Sequence, residues 1–128
     1  MAYIRDGVNH VSPYLIVRNA NQLIQFLQDV FDAQLLLKMG SIQDQPLHSE
    51  VKIKDSVIMI GTSESDDLGI NPSMLHVYVE DADSVFKKAL DHGATMQMPI
   101  QSDEAAGDRR GMFLGPQGNY WAVAIVLS

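Results

Sequence analysis

The 128-residue chain contains no cysteine. Disulfides and thiolate metal sites are therefore excluded, and a reducing compartment is compatible with the composition. Basic residues are scarce: 9 Lys and Arg stand against 16 Asp and Glu, a formal net charge of −7. Such a surface repels phosphate backbones, so nucleic acid is not an expected partner. The four arginines, Arg5, Arg18, Arg109 and Arg110, form no stripe. Long apolar runs are also missing. The longest, Tyr120 to Leu127, falls far short of the roughly 20 residues that cross a bilayer, so no membrane partner is expected. The opening MAYIRDGVNH lacks the apolar core of a signal peptide. These absences leave a cytoplasmic protein of one domain, 1–128, long enough to bury a core without staples.

The chain reads as one pattern written twice. Leu15-Ile16-Val17-Arg18-Asn19-Ala20-Asn21 and Val77-Tyr78-Val79-Glu80-Asp81-Ala82-Asp83 are each an apolar strand end followed by two polar residues, an alanine and a polar residue. Helical spacing follows both, through Ala20, Leu23, Ile24, Leu27, Val30 and Phe31, and through Ala82, Val85, Phe86, Ala89 and Leu90. Asn19 and Asp81 are expected N-caps, and Gly93 an expected helix stop. Strand-like segments come next: Gln34–Met39, Leu47–Ile53 and Ser56–Ile60, then Thr95–Met98, Gly111–Leu114 and Tyr120–Val126. The polar stretch 61–72 reads as a linker. The expected fold is α+β: two βαβββ modules, about 8–60 and 73–127, forming a cupped mixed sheet with helices on its outer face.

Three stretches carry a resemblance. They are PYLIVRNA (Pro13–Ala20) with the later VFDA (Val30–Ala33), HSEVKIKDSVIM (His48–Met59), and Gly107-Asp108-Arg109 with GPQGNYW (Gly115–Trp121). In order and spacing, the chain from about Val11 to Val126 resembles the vicinal oxygen chelate superfamily, also called the glyoxalase/bleomycin resistance/dioxygenase superfamily, and within it the PhnB-like branch. One departure is Gly115-Pro116 where that branch usually has Asp-Pro. The resemblance implies cupped modules that pair within one chain or across a homodimer, with metal or ligand held in the cup.

In metal-dependent members of that superfamily, His or Glu on the first and last strand of each module hold a divalent ion. Carried onto this chain, those positions fall on Ser12, Met59, Met74 and Ala122. A thioether is soft and alanine has no donor atom, so no hard cation is expected there and no cofactor is expected. Alternation along strands supplies other candidates. If Met74 faces the cup, so do His76 and Tyr78. If Ser12 does, so do Tyr14 and Ile16, with His10 near the rim. His48 and Glu50 share a face opposite Val51 and Ile53, which look like core.

The candidate ligand-binding residues are Ser12, Tyr14, His48, Glu50, Met59, Met74, His76, Tyr78 and Arg109, and His48, Glu50 and His76 are the catalytic candidates. Arg109 could clamp an anionic group or simply anchor its loop. Trp121 is expected to face the helices as core, and Gln101–Gly107 reads as a lid or an exposed connection. Two functions stay open. One is metal-free binding of a small organic molecule in the cup, with the acidic surface favouring a cationic ligand, as in the superfamily's antibiotic-sequestering members. The other is a lyase, isomerase or dioxygenase of glyoxalase type, using a divalent metal on the displaced set His10, His48, Glu50 and His76, or a His/Glu acid–base pair.

Overall fold

A computed structural model describes residues 3–63 and 73–128. The chain divides into two compact units, Met1–Asn71 and Pro72–Ser128. The first contains β1 (Tyr14–Val17), α1 (Ala20–Phe31), β2 (Gln34–Met39), β3 (His48–Ile53) and β4 (Ser56–Thr62). The second contains β5 (Met74–Tyr78), α2 (Ala82–Asp91), β6 (Thr95–Asp103), β7 (Asp108–Leu114) and β8 (Tyr120–Val126). Each unit is a four-stranded mixed sheet, in the orders β1-β4-β3-β2 and β5-β8-β7-β6. In each, the first strand pairs parallel with the last and the remaining pairs are antiparallel. The duplicated βαβββ order is thus present as two sheets of one topology.

Local chemistry explains the boundaries. The Asn19 side chain accepts from Gln22 N at 2.9 Å and that of Asp81 from Ser84 N at 3.0 Å, capping α1 and α2 as their sequence positions suggest. The apolar stripe of α1 is buried from Ala20 to Phe31 and shares its core with Leu15, Val17, Val51, Ile53, Ile58 and Ile60. In the second unit Phe86 and Ala89 of α2 are buried, as are Phe113, Trp121 and Val123 of the sheet. Trp121 is fully buried, as alternation along β8 requires. Gly111 explains the tight seat of α2: a Cβ there would stand 2.9 Å from Phe86 Cε2 and 3.1 Å from the Ile100 backbone.

Three boundaries depart from expectation. Gly61 and Thr62 continue β4, so the expected linker 61–72 begins later; residues 64–72 lie outside the described residues. β6 runs past Pro99 to Asp103, because it is an edge strand and the proline falls in a register shift between Met98 and Gln101. The expected loop Gln101–Gly107 is therefore mostly hairpin. Asp103 pairs with Asp108, Gly107 N donates to Asp103 O at 2.9 Å, and the Asp103 carboxylate accepts from Ala105 N at 3.0 Å. A segment stitched this way is a turn, not a lid.

Candidate functional site

Each sheet has one face in the core and one outside it, and the candidate residues sort by strand phase. In the first unit, Tyr14 pairs with Met59, Met59 with Glu50, and Glu50 with Leu37. This row lies on the sheet face turned away from α1, opposite Leu15, Val51, Ile58 and Ile60. The next row on that face is Ile16, Gly61, His48 and Met39. Tyr14, His48, Glu50 and Met59 are thus brought together as the sequence suggests.

A chain of hydrogen bonds links three of them. The Tyr14 hydroxyl lies 3.0 Å from His48 Nδ1, and His48 Nε2 lies 2.9 Å from Glu50 Oε2. The second carboxylate oxygen, Glu50 Oε1, accepts from the Arg5 guanidinium. Glu50 is only 3% exposed although it sits between Leu37 and Met59. Burial alone would raise its carboxyl pKa, but the hydrogen bonds and charges of Arg5 and His48 outweigh that and hold it below the ordinary value. Arg5 is the member sequence reasoning missed. It lies 45 residues from Glu50 in a stretch with no periodicity, and an apolar row holding one carboxylate was the only signal that a cation was needed.

In the second unit, Met74, His76 and Tyr78 share the face of β5 away from the core, and all three are exposed. The His76 and Tyr78 rings meet edge to face at 4.7 Å. Met74, His76, Met98, Arg110, Gly111, Met112 and Ala122 line an open cavity of ≈ 230 Å³. Arg110 is its charged residue, held loosely by Asp103 and Asp108 carboxylates, each 3.8 Å away. Arg109 is placed elsewhere. Its guanidinium grips both oxygens of Asp83, in the first turn of α2, at 2.8 Å each. This pairing lowers the Asp83 carboxyl pKa and raises that of Arg109. The phase of β7, with Phe113 buried, puts Arg109 and Gly111 toward α2 and Arg110 and Met112 toward the cavity. Of the two readings of Arg109, clamp or anchor, its ion pair with Asp83 is an anchor, while the neighbouring Arg110 lines the cavity.

The strand-end positions Ser12, Met59, Met74 and Ala122 do not fit a hard divalent cation. Ser12 offers one buried hydroxyl, Met59 and Met74 offer thioethers, and Ala122 offers a methyl group. Of the displaced set, His48 and Glu50 meet. His10 Nε2 is engaged by the Tyr3 hydroxyl at 2.7 Å, and His76 belongs to the second unit. Among the described residues no group of three or more His, Asp or Glu side chains is placed to hold a metal ion.

Known proteins share this architecture. TioX from Micromonospora sp. ML1 superposes with a TM-score of 0.77 at 21% identity, covering 93% of this chain and 99% of that one. The fosfomycin resistance protein FosX from Listeria monocytogenes superposes with a TM-score of 0.68 at 18% identity, covering 91% and 92%. At such identities the likeness is one of fold. An uncharacterized protein of Mycobacterium bovis is 28% identical over 123 residues, 88% of this chain and 80% of its own. The sequence profile of the Glyoxalase/Bleomycin resistance protein/Dioxygenase superfamily matches residues 7–123, nearly the full length, and the chain belongs to that superfamily.

Proposed function

We propose that this protein binds a small organic molecule on the cup face of its second unit, turned away from α2, without a metal at the superfamily's usual strand-end positions. The observation that carries this is the open cavity of ≈ 230 Å³ walled by Met74, Met98, Met112 and Ala122. Three thioether side chains give an adaptable apolar wall, and a few polar groups orient what enters. His76 and Arg110 supply those groups. The acidic chain as a whole argues for a cationic ligand, but the cavity's own charged residue is Arg110. Arg110 lies 3.8 Å from the Asp103 and Asp108 carboxylates, so its charge is largely balanced, but its guanidinium keeps N–H groups to donate, and the ligand class we propose is a small apolar molecule bearing a carboxylate or another acceptor. We further propose that the protein is a homodimer of the PhnB-like branch, on the sequence resemblance alone.

The test is a thermal-shift panel on chelator-stripped protein, setting small aromatic and aliphatic carboxylic acids against matched amines and divalent metals. A ligand at 100 times its Kd stabilises the fold by about 2.7 kcal/mol. Acids that stabilise wild type but not Arg110→Ala support the proposal. Stabilisation by metals alone, or by amines regardless of Arg110, overturns it.

A further inference from the structure

We propose that Glu50 anchors a second binding site, on the sheet face of the first unit turned away from α1, for a small apolar molecule bearing an amidinium or guanidinium group, and that Arg5 is the chain's own occupant of that site. The inference stands apart from the cavity in the second unit.

The first reason is where the charge lies. Glu50 is 3% exposed, and a carboxylate so buried is costly unless a cation meets it. It takes no part in the core beside α1, where β3 sends Ser49, Val51 and Ile53. It stands instead between Met59 of β4 and Leu37 of β2, with Ile16 and Met39 in the next row. One orienting charge set among aliphatic and thioether side chains is the make-up of a small-molecule site. The contacts from Arg5 and His48 keep the Glu50 carboxyl ionised there.

The second reason is how the cation arrives. Arg5 comes from irregular chain before β1, not from the sheet. That segment is moored further along. Val57 N donates to the Asn9 side chain at 3.4 Å, and Met59 N donates to Pro13 O at 2.9 Å. From these moorings the Arg5 side chain reaches Glu50, and among the described residues Glu50 is its one side-chain partner. The Arg5 side chain is 56% exposed, so it lies mostly in solvent and is seated by its head alone. Its guanidinium engages Glu50 Oε1, and the other oxygen lies 2.9 Å from His48 Nε2. A group held this way is exchangeable. A free amidinium restores the same charge-assisted hydrogen bond. It also lays an apolar body against Leu37, Met39 and Met59, where Arg5 brings only a thin stem.

Tethering sets the balance between the two. An occupant on the same chain stands at an effective concentration on the order of millimolar. At that concentration Arg5 shuts simple amines out of the wild-type site. The affinity of a better competitor is lowered by the fraction of time that Arg5 fills the place. The formal charge of −7 draws cations toward the chain. Displacing Arg5 leaves the moorings at Asn9 and Pro13 intact, so the fold survives the exchange.

The probe is benzamidine, a phenyl ring bearing an amidinium. Benzyl alcohol, of similar size and uncharged, is the control. Arg5→Ala vacates the site, and isothermal titration should show it binding benzamidine roughly tenfold or more tighter than wild type, the gain from removing a resident competitor. Benzyl alcohol should give no such gain, and adding Glu50→Gln to Arg5→Ala should abolish it. Arg5→Gln keeps the stem and drops the charge, and gives the same comparison should Arg5→Ala fail to fold. In wild type, excess benzamidine should shift the carbon-13 resonance of the Glu50 carboxyl. No binding by the folded Arg5 variant, equal affinity in that variant and wild type, or a gain that survives Glu50→Gln overturns the proposal and leaves Arg5 as a fixed anchor of its segment.

Discussion

Glu50 shows how one buried group organises its neighbours. Its folded pKa is held below the ordinary value, so the stability it contributes is complete above the usual carboxylate range and is lost as pH falls through the lower, folded value. Urea denaturation against pH should therefore show wild type losing stability below about pH 4.3 more steeply than Glu50→Gln. Equal slopes would mean the Arg5 and His48 contacts do not hold in solution. Gly111→Ala places a methyl group against Phe86 and the Ile100 backbone, and should cost roughly 1–3 kcal/mol by denaturant titration. Alternation along β3 made the shared face of His48 and Glu50 readable. The Tyr14–His48 contact joins residues 34 apart, and periodicity assigns a face but not a partner. Arg5 carried no pattern and became visible only when the fold brought it to Glu50.

At the scale of the element, phase decides more than residue type. Arg109 and Arg110 are adjacent and chemically alike, yet β7 sends one to α2 and the other to the cavity. Arg110→Ala should weaken binding of an acidic ligand by about tenfold, the loss of one charged hydrogen bond. Arg109→Ala should leave that affinity unchanged and lower the melting temperature by loosening α2; isothermal titration beside calorimetry separates the two. The phase was legible in principle, since Phe113 and Trp121 mark the core side of β7 and β8. The Gly107-Asp108-Arg109 motif left Arg109 open as clamp or anchor, and its ion pair with Asp83 is an anchor. The helices were the most readable elements, because spacing and caps agreed: Asn19→Ala should cost about 1 kcal/mol. The end of β6 was the least readable, since Pro99 signals a break that an edge strand tolerates.

The molecule uses one topology twice with different chemistry on the sheet face away from each helix: a polar hydrogen-bonded chain in the first unit, a methionine-walled cavity in the second. The duplication itself was visible from the two strand-to-helix junctions, because capping and apolar spacing are local properties. The parallel pairing of β1 with β4 and of β5 with β8 has a consequence for the order of folding. The strand made first in each unit has no sheet partner until the strand made last exists. Tyr14 and Met59 must find each other across 44 residues of intervening chain before the β1 edge of the first sheet is complete. Such closure is entropically late and slow. Leu15→Ala and Ile60→Ala, neighbours in that pairing, should therefore speed unfolding while leaving the refolding rate nearly unchanged.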